Sequence, residues 1–416
     1  MPADISSAIL QHISNDDPDG ARLLLDGIDA SLSPQARAEW RQRVAWSYYI
    51  ENQDAQAWAL ADTARDNGSG PWVAEGDWAA GLAAWRLGDC DKAAEAFQRS
   101  AAGSTNPNLT AAAHYWAGRA LIRCRFPEKA DEQLRGAARY PETLYGMLAH
   151  EQMGRDLPET HAQPDLTEAD WRRLRDEEAV QQAVMLAEIG RRDEAADDLV
   201  WLVRTGDPED YPALSRLARA LGLTGAQTFM AYNAPRGEGA HPSLRYPVTF
   251  RAPVGGWRVD PALAFAHALQ ESNFRETVVS PAGAIGLMQI MPITQREYAA
   301  SINMSSGADL KDPAVNLAFG QRTLESLNSS NFTQGKLPKV MAAYNAGPTP
   351  VSRWESEIRD QGDPLLYMES IPYWETRGYV AIVMRNYWMY LRQADAPAPS
   401  RVELAENDWP MFPGLR

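Results

Sequence analysis

Two stretches of this 416-residue chain repeat each other at an offset of 37 residues, and that period restricts the fold more than any other feature. GLAAWRLGDCDKAAEAFQRSAA starts at Gly81 and GRALIRCRFPEKADEQLRGAA at Gly118. In register, Gly81, Ala83, Lys92, Ala93 and Ala101 meet Gly118, Ala120, Lys129, Ala130 and Ala138. A third, partial copy, LAEIGRRDEAADDL, begins at Leu186. A period of this length holds one helix pair and its connections, and small residues at repeated positions let neighbouring helices approach. The repeat predicts stacked helix pairs; an ordinary Ala-rich helical domain is the plainer alternative.

Residues 1–228 support helices throughout. Apolar residues recur at three- and four-residue spacing, with short breaks such as Asn67-Gly68-Ser69-Gly70-Pro71 and Thr105-Asn106-Pro107. The tryptophans of this part (Trp40, Trp46, Trp58, Trp72, Trp78, Trp85 and Trp116) follow that spacing and are expected in the core. Between 229 and 256 the periodicity lapses into Pro- and Gly-rich sequence, read as a linker. Helices resume where Asp260 is placed to cap and Pro261 to occupy the first helical position, and run to 395. The Pro-rich tail, 396–416, is expected to be extended or disordered. The fold class is therefore all-α: an α-superhelical domain (1–228), a linker, a helical domain (257–395) and a tail.

Composition narrows the function. With 40 basic and 55 acidic residues the net charge is −15, which argues against nucleic acid as the main partner, since phosphate contact needs clustered Lys and Arg. No apolar run reaches the ~20 residues that span a bilayer. The first 20 residues show neither the basic nor the apolar region of a signal peptide; a cytosolic protein and a form lacking its leader both fit. Cys90 and Cys124 are too few for a disulfide framework and are read as buried, inert thiols, with a single bridge as the alternative in an oxidising compartment. The six histidines show no metal-ligand spacing, and no metal or other cofactor is expected.

Chemistry concentrates between Leu269 and Pro292, LQESNFRETVVSPAGAIGLMQIMP. Glu271 ends an apolar helix, Asp260 to Glu271, where the macrodipole disfavours its anion and apolar neighbours do the same, so its proton affinity is expected to rise. His267, one turn earlier, is read as a packed or partly solvated helix residue, with contact to Glu271 as the alternative. Ser272 follows at once, and the turn Ser280-Pro281-Ala282-Gly283-Ala284 leads into Gly286-Leu287-Met288-Gln289. Further motifs are DPAVNLAFGQRTLESL (312–327), with Asn316 and Gly320 one turn apart; AAYNAGP (342–348), with Tyr344 and Asn345; and ESIPYWETRGYV (369–380), with Glu369, Tyr373, Glu375, Arg377 and Tyr379. Amides, aromatic rings and hydroxyls are the groups that bind sugars. Arg377 and its neighbouring glutamates also suit an ion-pair network that holds a loop.

In this order and spacing, ESNF, SPAGAIGLMQIMPIT, DPAVNLAFG, AAYNAGP and ESIPYWETRGYV resemble the catalytic domain of the soluble lytic transglycosylases, which share the goose-type lysozyme fold. The helical N-terminal part resembles, less specifically, the α-superhelical domain of those enzymes. The resemblance implies a lysozyme-like catalytic domain and peptidoglycan glycan strands as substrate. It implies cleavage between N-acetylmuramic acid and N-acetylglucosamine with a 1,6-anhydro product, and a periplasmic setting. Carried over, Glu271 is the catalytic acid/base, Ser280 lies near the muramic N-acetyl group, and Tyr344 helps to stabilise the transition state. Met288, Gln289, Asn345, Glu375, Ser272 and Glu369 are substrate-binding candidates. Gln295, Thr323 and Thr349-Pro350 depart from the family pattern away from the matched catalytic positions. A hydrolytic muramidase on the same fold and a non-catalytic glycan-binding scaffold are the alternatives. The helical array is also a candidate surface for cell-wall protein partners.

Overall fold

The computed structural model describes residues 3–158, 164–236, 239–248 and 251–415. Among these the chain forms α- and 3₁₀-helices, and extended pairing is confined to isolated bridges at 279–290 and between Lys336 and Met411. No described helix is long and apolar enough to cross a membrane. His161, and Gly237, Glu238, Thr249 and Phe250 of the linker region, lie outside the described residues.

The chain divides into two compact units that are not contiguous in sequence. The first comprises Met1–Pro158, Ser352–Gly378 and Pro399–Pro410. The second comprises Glu159–Val351, Tyr379–Ala398 and Met411–Arg416.

In the first unit the repeat is what its period implies. The helices Pro71–Leu87, Cys90–Gly103, Pro107–Arg123 and Pro127–Ala138 each pack on the next. The matched glycines explain the register. A Cβ on Gly81 would lie 2.5 Å from the ring of Phe97, and one on Gly118 would lie 3.3 Å from Leu134. Each glycine thus lets the second helix of its own pair approach. Trp116 is fully buried and meets Trp85 edge-on at 5.2 Å, with Trp78 and Phe97 around it, so aromatic packing fills the centre of the stack.

Two expectations are corrected here. Cys90 and Cys124 form a disulfide, with Cα atoms 5.6 Å apart, inside the range a bridge requires. Helix packing brings together the first residue of one helix and the residue just after the next; sequence spacing alone carries no such proximity. The bridge closes a 34-residue separation, for which loop entropy contributes about 4 kcal/mol. Replacing both cysteines by serine is expected to remove stability of that order in a urea titration. An unchanged midpoint, with reductant equally without effect on the parent protein, would show the bridge to be energetically idle.

The tail is the second correction. Pro399–Ala405 is helical, with Ser400 and Leu404 buried, and packs on the Leu144–Gln152 helix, where Arg401 Nε donates to Glu151 Oε2 at 2.8 Å. Pro399 is the first helical residue, a position where a missing N–H costs nothing. The proline density that suggested an extended tail includes a helix start.

In the second unit, Arg192–Thr205 packs on Glu178–Glu188 as the third copy of the repeat implies. The Pro261–Ser272 helix starts as the sequence predicts, with Asp260 Oδ1 accepting from Ala262 N at 2.9 Å and Pro261 leading. The other carboxylate oxygen of Asp260 accepts from Tyr387 at 3.0 Å, which ties this helix start to the long Trp374–Gln393 helix.

Candidate active site

The Pro261–Ser272 helix ends abruptly. Asn273 and Phe274 both take positive φ, at 50° and 58°, and burial of the Phe274 ring offsets the strain of that reversal. Glu271 therefore sits in the last helical turn, half-buried. Its Oε1 accepts a hydrogen bond from the Tyr379 hydroxyl at 2.7 Å. The Tyr379 oxygen is also 2.7 Å from His267 Nδ1. The imidazole stands 4.6 Å from the Tyr344 ring, centre to centre, and the Tyr344 hydroxyl donates to the Met288 carbonyl at 2.8 Å. Burial, and then the charge of Glu271, holds both phenols well above their ordinary pKa. His267 is fully enclosed, and burial pushes its pKa down to about 3.

The glycine-rich segment after Glu271 closes into a tight turn. Ile285 and Ile290 exchange both backbone hydrogen bonds at 3.0 Å, and Gly286 and Gln289 take φ of 75° and 48°. Asn316, wholly buried on the Pro313–Asn328 helix, holds this turn from beneath. Its Oδ1 accepts from Met288 N, and its Nδ2 donates to Ile285 O and Leu310 O, all at 2.8 Å. A Cβ on Gly286 would meet Asn316 Nδ2 at 2.4 Å, so this position needs glycine for space as well as for φ. One turn on, a Cβ at Gly320 would come within 2.1 Å of Met288 Sδ. The one-turn spacing of Asn316 and Gly320 is thereby explained: one binds the turn and the other makes room for its methionine.

Several candidates have work other than touching substrate. Ser272 is buried, and its Oγ donates to Ala268 O at 3.1 Å and Leu287 O at 2.8 Å; it staples the glutamate helix to the glycine turn. Met288 has a buried side chain and offers its backbone to Asn316 and Tyr344, so it supports the turn. Gln289 is half-buried, its Nε2 donating to Gly286 O at 2.9 Å. Ser280 Oγ accepts from Ala284 N at 3.0 Å, closing the Ser280–Ala284 turn. Asn345 follows Tyr344 near the end of the Leu337–Ala346 helix and is half-buried.

Glu369 and Glu375 belong to the first unit. Glu369 accepts from the Tyr145 hydroxyl, and burial raises its pKa while Arg377 partly offsets the rise. Arg377 in turn donates to Ile371 O at 2.9 Å and lies 4.2 Å over the Trp46 ring. Glu369 is thus engaged in the internal network that the sequence offered as its plainer reading. Glu375 is exposed in the first turn of the Trp374–Gln393 helix.

Three contributors escaped the sequence. Tyr379 lay inside a motif but had no role, because its partner is 108 positions away. His267, read from sequence as a packed or partly solvated residue with contact to Glu271 as the alternative, reaches Glu271 through Tyr379. Asp193 has no motif at all; it accepts from the backbone N–H of Glu276 at 3.1 Å and of Thr277 at 2.8 Å and fixes the loop between Glu271 and Ser280.

Fold and site together define an all-α protein that combines stacked helix pairs with a lysozyme-like helical part. Residues 249–366 match the Transglycosylase SLT domain. That stretch is similar to the catalytic part of soluble lytic transglycosylases. The soluble lytic murein transglycosylase of Escherichia coli (strain K12) is 35% identical over 166 residues, 39% of this chain and 25% of that protein. An endo-type membrane-bound lytic murein transglycosylase A of Klebsiella pneumoniae is 36% identical over 89 residues, 20% of this chain and 44% of that one. Among solved structures, the 70 kDa soluble lytic transglycosylase of Escherichia coli superposes with a TM-score of 0.73 at 22% identity, over 99% of this chain and 66% of that one. A 70 kDa soluble lytic transglycosylase in complex with bulgecin A gives 0.72 at 23%, over 97% of this chain and 65% of that one. The chain thus matches a quarter of the length of the Escherichia coli (strain K12) relative and about two thirds of the solved chains.

Proposed function

We propose that this protein is a lytic transglycosylase of peptidoglycan, with Glu271 as its single acid/base. It would cleave the β-1,4 bond between N-acetylmuramic acid and N-acetylglucosamine and leave a 1,6-anhydro end. The observation that carries the reading is the placement of Glu271: a helix-end carboxyl bonded to Tyr379, with the Tyr344 phenol under its charge, in a chain whose SLT domain spans it.

Most glycosidases use two carboxylates; this reading needs one, because the substrate supplies both nucleophiles. Glu271 protonates the glycosidic oxygen, and the muramic N-acetyl oxygen closes on C1 as N-acetylglucosamine leaves. Glu271, now a carboxylate, takes the proton of the C6 hydroxyl. O6 then attacks C1, opens the oxazolinium ring and forms the anhydro bridge. An intramolecular nucleophile reaches effective molarities of about 10⁵–10⁸ M when well oriented, which favours O6 over water. Ser280 is suited to the acetyl group. Its bond to Ala284 N uses an oxygen lone pair, so the hydroxyl proton is left to donate. Tyr344, Gln289, Asn345 and Glu375 are the further proposed substrate contacts.

The proposed division of labour keeps 257–395 as the catalytic domain and 1–228 as the superhelical domain that holds glycan strands and offers a surface to cell-wall proteins. A periplasmic setting accords with the Cys90–Cys124 bridge, since disulfides persist in oxidising compartments. Digestion of purified sacculi followed by mass spectrometry tests the function. Released muropeptides one water lighter than those made by a lysozyme are expected; hydrated reducing ends would replace this reading with a muramidase.

A further inference from the structure

We infer that His267 is a positioning residue for Glu271. It holds Tyr379 as a one-way hydrogen-bond donor, so that the catalytic proton of Glu271 resides on Oε2. The inference rests on the proposal that Glu271 is the acid/base.

Proton counting carries the argument. Two contacts of 2.7 Å flank the Tyr379 oxygen, one to Glu271 Oε1 and one to His267 Nδ1. Each contact needs a proton of its own, and the phenol has one. With Glu271 ionised, the carboxylate can only accept. The second proton must therefore sit on His267 Nδ1, since the reverse tautomer would set one of the two contacts lone pair against lone pair. The enclosed imidazole is neutral and carries a single N–H, which leaves Nε2 bare. Nε2 is buried and has no hydrogen-bond partner among the described residues. That suits a bare lone pair better than an N–H, because orphaned buried N–H groups are the rarer defect.

The same isolation of Nε2 locks the direction. When Glu271 is protonated, a reversed chain is conceivable, in which the carboxyl donates to Tyr379 and Tyr379 donates to Nδ1. That reversal requires Nδ1 to lose its proton and Nε2 to gain one, and no described residue stands at Nε2 to deliver it. The order His267 Nδ1–H to Tyr379 O–H to Glu271 Oε1 therefore persists in both halves of the cycle. With Oε1 held as an acceptor, the acid proton lies on Oε2 and is not spent on the phenol. The oxygen that releases a proton to the leaving group is then the one that recovers it from the sugar hydroxyl, without rotation of the carboxyl.

The test combines tautomer detection with a double-mutant cycle on the full chain. Imidazole ¹⁵N NMR of the parent protein is expected to show His267 protonated at Nδ1 and bare at Nε2; an Nε2–H tautomer overturns the inference, and no variant has to fold for this reading. Turnover of purified sacculi is then measured for His267→Phe, Tyr379→Phe, the double variant and His267→Asn. His267→Phe keeps a ring against Tyr344 and removes the donor. It is expected to lower kcat about tenfold and Tyr379→Phe about 10²-fold, within the range of general acid–base contributions. The double variant should match Tyr379→Phe alone, because His267 acts only through the phenol. His267→Asn, whose amide N–H falls near the Nδ1–H, should recover most of the loss. Multiplied losses of about 10³-fold in the double variant, or parental kcat in His267→Phe, would show that His267 serves packing alone. Unimpaired anhydro-product release by Glu271→Gln would instead remove the proposal for Glu271 itself.

Discussion

Glu271→Gln is expected to leave a folded protein that releases no measurable 1,6-anhydro muropeptide. The substitution is close to isosteric, and its amide oxygen can still accept from Tyr379, so the contact at 2.7 Å survives. What disappears is the exchangeable proton. One carboxyl serves the cycle twice in the proposed mechanism, first as acid toward the glycosidic oxygen and then as base toward the sugar hydroxyl. A general acid–base contributes about 10²–10⁴-fold per step, and both steps lose it. The expected reduction in turnover is thus about 10⁴-fold or more, with the melting temperature within a few degrees of the parent. Product release at a rate near that of the parent would remove Glu271 from the chemistry and return the single-acid mechanism to the start.

Asn316→Ala should be the most damaging single change that touches neither glutamate nor tyrosine. Met288 N and Leu310 O lose their partner at once, and Ile285 O keeps only its bond from Ile290 N. The site is closed to water, as Asn316 is 0% exposed. A buried polar group left unpaired costs roughly 1–3 kcal/mol, so a loss of about 4 kcal/mol is expected in a denaturant titration. Activity should fall further than stability requires, because the same turn presents the Met288 carbonyl that orients Tyr344. Comparison of urea midpoints and of turnover well below the midpoint separates the two effects. A midpoint shift worth less than about 1 kcal/mol would mean that other groups or water satisfy the turn.

The boundary of what was legible follows the range of the interactions. The helix pairs could be read from sequence because their determinants are local: spacing of apolar residues and small residues at a fixed period. Gly81 and Gly118, matched by register, are places where an added Cβ would meet Phe97 and Leu134. The cap at Asp260 with Pro261 was equally local and stands as read. The Cys90–Cys124 bridge and the helix within the proline-rich tail were misread for opposite reasons. The first depends on how two helices lie together; the second is a local helix start hidden by composition.

The site divides in the same way. Residue chemistry in a recognisable order was enough to point to Glu271, Tyr344 and the turn through Gln289, because each motif carries its own side chains. Which of those side chains face inward was a different question. Ser272 and Met288 look like substrate contacts in a motif, and in three dimensions they serve as a staple and a support. Glu369 is drawn into hydrogen bonding with Tyr145 and into the field of Arg377.

Local pattern was therefore sufficient for the all-helical class, for the repeat and for the identity of the acid/base candidate, since propensity, capping and residue chemistry act within a few positions of the chain. Tertiary structure alone decided the partners: Tyr379 on Glu271, His267 behind it, Asn316 beneath the glycine turn and Cys90 beside Cys124. A hydrogen bond, a buried ring contact or a disulfide depends on distances of a few ångströms between residues 28 to 112 positions apart, and such distances are set only when helices pack.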